Sequence, residues 1–74
     1  MTGLEASIKA AYLIGSNPMV VDCTTERKEP MTEIKFLLKT GGCIVLQMHD
    51  RELTLPGQAK FEAIMSQARK MGIL

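Results

Sequence analysis

Lys35-Phe36-Leu37-Leu38-Lys39-Thr40-Gly41-Gly42-Cys43-Ile44-Val45-Leu46-Gln47, or KFLLKTGGCIVLQ, sets two β-prone runs on either side of a glycine pair. That is the pattern of a β-hairpin, and the length of its loop fixes which side chains share a face. A two-residue Gly41-Gly42 loop pairs Lys39 with Ile44 and Phe36 with Gln47, mixing polar and apolar residues on both faces. A three-residue Thr40-Gly41-Gly42 loop, with Gly42 in the left-handed position, pairs Leu38 with Ile44, Phe36 with Leu46 and Ile34 with Met48. The second register sorts the hairpin. One face becomes Ile34, Phe36, Leu38, Ile44, Leu46 and Met48; the other becomes Glu33, Lys35, Leu37, Lys39, Cys43, Val45, Gln47 and His49.

Upstream, Met19-Val20-Val21-Asp22-Cys23-Thr24 is short and β-branched, and reads as a first strand. The polar segment Thr24 to Pro30 follows it as an interior loop. Before both, Thr2-Gly3-Leu4-Glu5 has the form of a capping box, which opens a helix over about residues 3 to 14. Leu4, Ile8 and Ala11, widened by Leu13 and Ile14, form its expected buried stripe, and Gly15 with Ser16-Asn17-Pro18 stops it. Downstream, Thr54-Leu55-Pro56 reads as a cap and first-turn proline for a second helix. Phe61, Ile64, Met65 and Ala68 form its expected buried stripe and Lys60, Ala63, Gln67 and Lys70 its solvated one; Gly72 ends it, with Ile73-Leu74 folding back. Met48, Met65 and Met71 fall on expected core positions.

The sequence thus predicts a single domain over 1–74 of α+β class, a helix, a three-stranded antiparallel meander and a helix. Both helices cover one face of the sheet and leave the other open. Its hydrophobic content is 46% and its aromatic content only 4%, so the core is aliphatic, and a chain of 74 residues buries a core but no deep pocket. No cofactor or small-molecule substrate is therefore expected. A net charge of +1 supplies no large steering field for a polyanion. No apolar run approaches the ~18 residues of a membrane helix, and no basic-then-apolar secretory signal is present, so a cytoplasmic protein without a membrane partner is expected. Cys23 and Cys43 have no metal-ligand spacing and are read as reduced thiols.

Two local patterns bring known families to mind. Val45-Leu46-Gln47-Met48-His49-Asp50-Arg51-Glu52-Leu53, with the later Ile64, Ala68 and Gly72-Ile73, resembles the closing strand, His-containing turn and final helix of the HicA-type toxins, which cleave messenger RNA. That family's catalytic histidine lies in a Gly-Ser-His element between its first two strands. Here the region reads Cys23-Thr24-Thr25-Glu26-Arg27-Lys28-Glu29, so no catalytic residue is carried over. The order of elements is also similar to the double-stranded-RNA-binding domain. Of that family's Lys-Lys-x-Ala-Lys clamp this chain keeps only Gln58-Ala59-Lys60, and its Gly-Pro-x-His loop is missing.

Single residues yield three functional readings. Leu37, Val45 and Cys43 form an apolar patch on the supposedly open sheet face, with Leu37 expected directly opposite Val45 and Lys35 and Lys39 flanking. They point to a non-catalytic interaction module, a regulator or inhibitor of the kind phages and mobile elements encode, whose partner is another protein or a second copy in a homodimer. Arg27, Lys28 and Lys60 are the candidates for phosphate contact if the partner is RNA, although Glu26 and Glu29 flank the first two. His49, the only histidine, would be the residue to test in an RNA-cleaving toxin. Opposite Glu33 in the chosen register, it is instead read as a surface pair, leaving no catalytic and no metal-binding residue.

Overall fold

Gly3 and Gly57 set the frame of the molecule. In the computed structural model, which describes residues 1–73, the backbone of residues 1–4 runs antiparallel to residues 53–57. Gly3 N donates to Leu55 O (2.8 Å), Leu4 N to Leu53 O (3.2 Å) and Gly57 N to Met1 O (2.8 Å). The backbones approach so closely that a Cβ on Gly3 would lie 1.9 Å from the Glu52 carbonyl oxygen, and one on Gly57 2.4 Å from that of Thr2. The start of each helix is thereby held against the start of the other.

The elements are α1 (Gly3–Gly15), β1 (Val20–Lys28), β2 (Met31–Leu38), β3 (Cys43–His49), a short 3-10 turn (Asp50–Glu52) and α2 (Gln58–Lys70). The strands form an antiparallel meander in the order β1-β2-β3. Both helices pack on one face of it: Ala10 and Ile14 of α1 and Ile64, Met65 and Ala68 of α2 enclose Phe36, Leu38, Ile44 and Leu46. This is the expected α+β architecture, with the expected apolar sheet face at its centre.

The hairpin departs from the expected register by two residues. Ile34 pairs with Leu46, Phe36 with Ile44 and Leu37 with Cys43, because the three-residue loop is Lys39-Thr40-Gly41 and Gly41, not Gly42, takes the left-handed conformation (φ 91°). Gly41 N donates to Leu38 O and Leu38 N to Gly42 O, the hydrogen bonds of a tight turn followed by a bulge. Gly42 then lies opposite Leu38, where the Met71 Cε would sit 3.2 Å from any Cβ. A shift of two preserves the alternation, so each residue keeps its face while its partner changes. Leu37 does not face Val45, and Glu33 faces Gln47 rather than His49.

Helix α1 turns its other side to the core. The capping box is present, Glu5 N donating to Thr2 Oγ1 (3.2 Å) and Thr2 N to Glu5 Oε1 (3.0 Å), but Gly3, Ala6, Ser7, Ala10 and Ile14 are the buried residues. Leu4 and Ile8, expected inside, are exposed. The cause is steric: Gly3 alone can face the Glu52 carbonyl, and with Gly3 inward the small residues one and two turns later line the contact. Ser7 Oγ donates to Met48 Sδ (3.0 Å), so the one buried polar side chain among the described residues is satisfied.

The remaining corrections concern ends. Thr24 to Lys28 is strand rather than loop, pairing with Lys35 to Met31 and reversing at Glu29-Pro30, whose peptide bond is cis. Its β-branched threonines suit an edge strand, and almost all of β1 is exposed because it runs beyond the helix layer. The N-cap of α2 is Gly57 without a side-chain bond, so Thr54 does not cap it. At the other end the expected motif forms: Gly72 is left-handed (φ 78°), Ile73 N donates to Ala68 O (2.9 Å) and Ile73 is buried, while Leu74 lies outside the described residues. Met71 is exposed, unlike Met48 and Met65. Asn17 joins this end to the first turn, donating through Nδ2 to Ile73 O and accepting from Met19 N (2.9 Å).

Gly3→Ala and Gly57→Ala should each destabilise the fold by about 1–3 kcal/mol or more, since the obstructing atoms are backbone. Gly15→Ala, whose Cβ would meet only Phe36 Cε1 at 3.5 Å, should be neutral or stabilising. Urea midpoints of the three variants check the ranking.

Candidate interaction surfaces

The uncovered sheet face is built from alternate residues of three strands: Asp22, Thr24, Glu26 and Lys28 of β1, Glu33, Lys35 and Leu37 of β2, and Cys43, Val45 and Gln47 of β3. A bulge at Val21 lets Val20 pair with Leu38 on the core face while Asp22 pairs with Leu37 on the open one. Leu37, 41% exposed, lies between Asp22 and Cys43 on the neighbouring strands, and Val45 sits diagonally from it, opposite Lys35. The structure thus brings Leu37, Cys43, Val45 and Lys35 together, and Lys39 follows in the hairpin loop, where its amide donates to Met19 O (2.8 Å). Asp22, Thr24, Lys35 and Leu37 line a shallow depression beside the patch.

Arg27, Lys28 and Lys60 are not brought together as a basic stripe, and each meets a carboxylate. Arg27 makes a bidentate pair with Asp50 (2.6 Å to each oxygen), reaches Thr32 Oγ1 (2.9 Å) and lies 3.8 Å from Glu29. Lys28 lies 3.5 Å from Glu26. Lys60 Nζ donates to Glu52 Oε2 (2.5 Å) and to the Gln47 carbonyl (2.7 Å). The Arg27 and Lys60 contacts tie the β1–β2 arm and α2 to the 3-10 turn after β3, where Asp50 N also donates to Pro30 O (2.9 Å).

His49 starts that turn. Its Nδ1 accepts from Arg51 N (3.1 Å) and its own amide donates to Glu52 Oε1 (3.3 Å), a reciprocal cap. Its strand partner is Met31. The hydrogen bond from Arg27 holds the Asp50 carboxyl below its ordinary 3.8, and that from Lys60, helped by the His49 amide, holds Glu52 below its ordinary 4.5. Among the described residues no cluster of His, Cys, Asp and Glu could hold a metal ion, and no helix is long and apolar enough to cross a membrane.

One surface lay outside the sequence expectations. With α1 rotated, Met1, Leu4, Ile8 and Tyr12 form an exposed apolar stripe, and a groove beside it is lined by Met1, Glu5, Ile8, Lys9 and Tyr12. The available signal was the competing stripe Ala6, Ala10 and Ile14 at the same period, whose small residues allow closer packing. No family model, curated protein or solved structure matches the chain.

Two outcomes are expected. Because the folded carboxylates of Asp50 and Glu52 bind protons less readily than the unfolded ones, their stabilisation is complete above pH 4.5 and is lost as the pH falls through the lowered values. Urea midpoints should therefore drop on acidification below that point, less steeply in Arg27→Gln and Lys60→Gln. Cys23 and Cys43 lie on opposite faces of strands separated by β2, about two spacings of ~4.8 Å apart, beyond disulfide reach. Both are exposed, so thiol titration of the folded, unreduced monomer should count two.

Proposed function

We propose that the chain is a small non-catalytic interaction module that binds a protein partner through its open sheet face. The observation that carries this reading is the placement of both helices on one side, which leaves Leu37, Cys43 and Val45 as a contiguous apolar patch without cover. Lys35 and Lys39 flank the patch with no carboxylate paired to them among the described residues, in contrast to Arg27, Lys28 and Lys60. A partner surface with an apolar centre and acidic groups opposite Lys35 and Lys39, on the side away from Asp22, is the complement.

The same contrast favours protein over RNA, because three cations already paired within the fold release fewer counterions on meeting phosphate. An active ribonuclease has less support, since the side-chain Nδ1 of His49 caps the 3-10 turn.

Displayed random peptides selected against the immobilised chain, mapped by amide chemical shifts, test the reading. The expected footprint covers residues 35–39 and 43–45, and Leu37→Lys should weaken binding at least about tenfold with an unchanged circular dichroism spectrum. A footprint confined to the helices would refute the sheet face, and shifts with RNA at physiological salt would put the RNA reading in its place.

A further inference from the structure

The two helices have the same length and opposite outer faces. Helix α2 shows Gln58, Glu62, Gln67, Arg69 and Lys70 to solvent, as a surface helix should. Helix α1 shows Leu4 (44%), Ile8 (61%) and Tyr12 (73%) at their respective exposures, and Met1 (43%), ahead of the helix, extends the row. Three of the eight large apolar side chains exposed among the described residues thus fall on one helical stripe, on the far side of α1 from Ala6, Ala10 and Ile14. Isolated exposed apolar residues need no explanation, but a contiguous row at i, i+4 spacing does.

Charge decides what fits there. The only charged side chains on α1 are Glu5 and Lys9, one turn apart along the same flank of the stripe; both line the groove beside Ile8, with the Lys9 ammonium over the Phe61 ring of α2 (5.1 Å to its centroid), a surface contact it can exchange for a carboxylate. A two-fold axis in the plane of contact and perpendicular to α1 sets a second α1 antiparallel to the first with the same flanks aligned. Glu5 then meets Lys9 of the other copy, and Lys9 meets its Glu5. A parallel pairing would set this flank against an uncharged one. The midpoint of Glu5 and Lys9 is position 7 and that of Leu4 and Tyr12 is position 8, so one dyad serves both sets within a single residue rise of ~1.5 Å.

We propose that the outer face of α1 is a self-association surface, on which a second copy of this chain packs antiparallel with Ile8 near the dyad and Glu5 and Lys9 paired across it. The partner is a second copy because the surface is its own complement in both shape class and charge. The stripe is small beside the ~800 Å² per partner of a standard interface, so the dimer is weak and reversible. It uses the side of the molecule away from the open sheet face and stands or falls independently of that face.

Sedimentation equilibrium with circular dichroism on each variant tests it. The wild type should show a monomer–dimer equilibrium, and Ile8→Glu should raise the dissociation constant at least about tenfold while leaving the fold unchanged, since Ile8 supports nothing inside. Glu5→Lys and Lys9→Glu should each weaken self-association through like-charge contacts, and a mixture of the two should form a heterodimer tighter than either homodimer. Glu5 also belongs to the capping box; if Glu5→Lys unfolds α1, Ile8→Glu and Lys9→Glu still carry the test. A wild type that stays monomeric at millimolar concentration overturns the proposal. So does a dimer that survives Ile8→Glu, and one that survives it but is lost in Leu37→Lys assigns association to the sheet instead.

Discussion

Three backbone hydrogen bonds between residues 1–4 and 53–57 require two glycines and tolerate nothing larger, and the arrangement of both helices follows from them. With Gly3 pressed against the Glu52 carbonyl, α1 has one permitted rotation about its axis. That rotation turns Ala6, Ala10 and Ile14 inward, and their small size brings α1 close to the sheet and to α2. The core is then filled from the sheet side by Phe36, Leu38, Ile44 and Leu46, consistent with the low aromatic content of the chain. At the opposite end Asn17 performs a similar office with side-chain rather than backbone groups, joining the exit of α1 to the residue after Gly72.

How much of this is legible in the sequence depends on whether local periodicity or long-range contact decides. The alternation Ile34, Phe36, Leu38 and Ile44, Leu46, Met48 assigns faces correctly because a strand has only two, and even a register displaced by two residues preserves them. The displacement itself comes from which of two adjacent glycines turns left-handed. Sequence cannot rank Gly41 against Gly42, because either glycine accepts the left-handed conformation without steric cost. On α1 two stripes compete at the same period, and hydrophobicity favours the wrong one because the deciding residue is a glycine facing a carbonyl 49 positions away. Thr24 to Lys28 reads as loop because its polarity outweighs its β-branching, yet an edge strand beyond the helices has no apolar surface to bury. Of the site residues, Leu37, Cys43, Val45 and Lys35 are neighbours as expected, whereas the pairing of Leu37 with Val45 is replaced by Leu37 with Cys43.

The proposed surfaces lie on opposite sides of one thin molecule, 34 × 23 × 16 Å in extent. A pair of chains joined along α1 would present two sheet faces pointing away from each other, able to hold two partners or two sites on an extended one. Bivalence of that kind raises apparent affinity through effective concentration without any new contact, which suits a module whose individual patches are small.

The two margins of the sheet are unequally defended against stray pairing. On β1 a bulge and the charges of Asp22, Glu26, Arg27 and Lys28 discourage another strand from adding on. On β3 the run CIVLQMH carries no acidic side chain, lysine, arginine, glycine or proline, and its single histidine stands at the very end, a composition that templates cross-β growth when its backbone is free. The Lys60 ammonium on the Gln47 carbonyl places a cation across that margin, held there by Glu52. The contact that ties α2 to the turn after β3 thus also sets a charge where another strand would add on, the position in which a gatekeeper residue guards an apolar strand against aggregation.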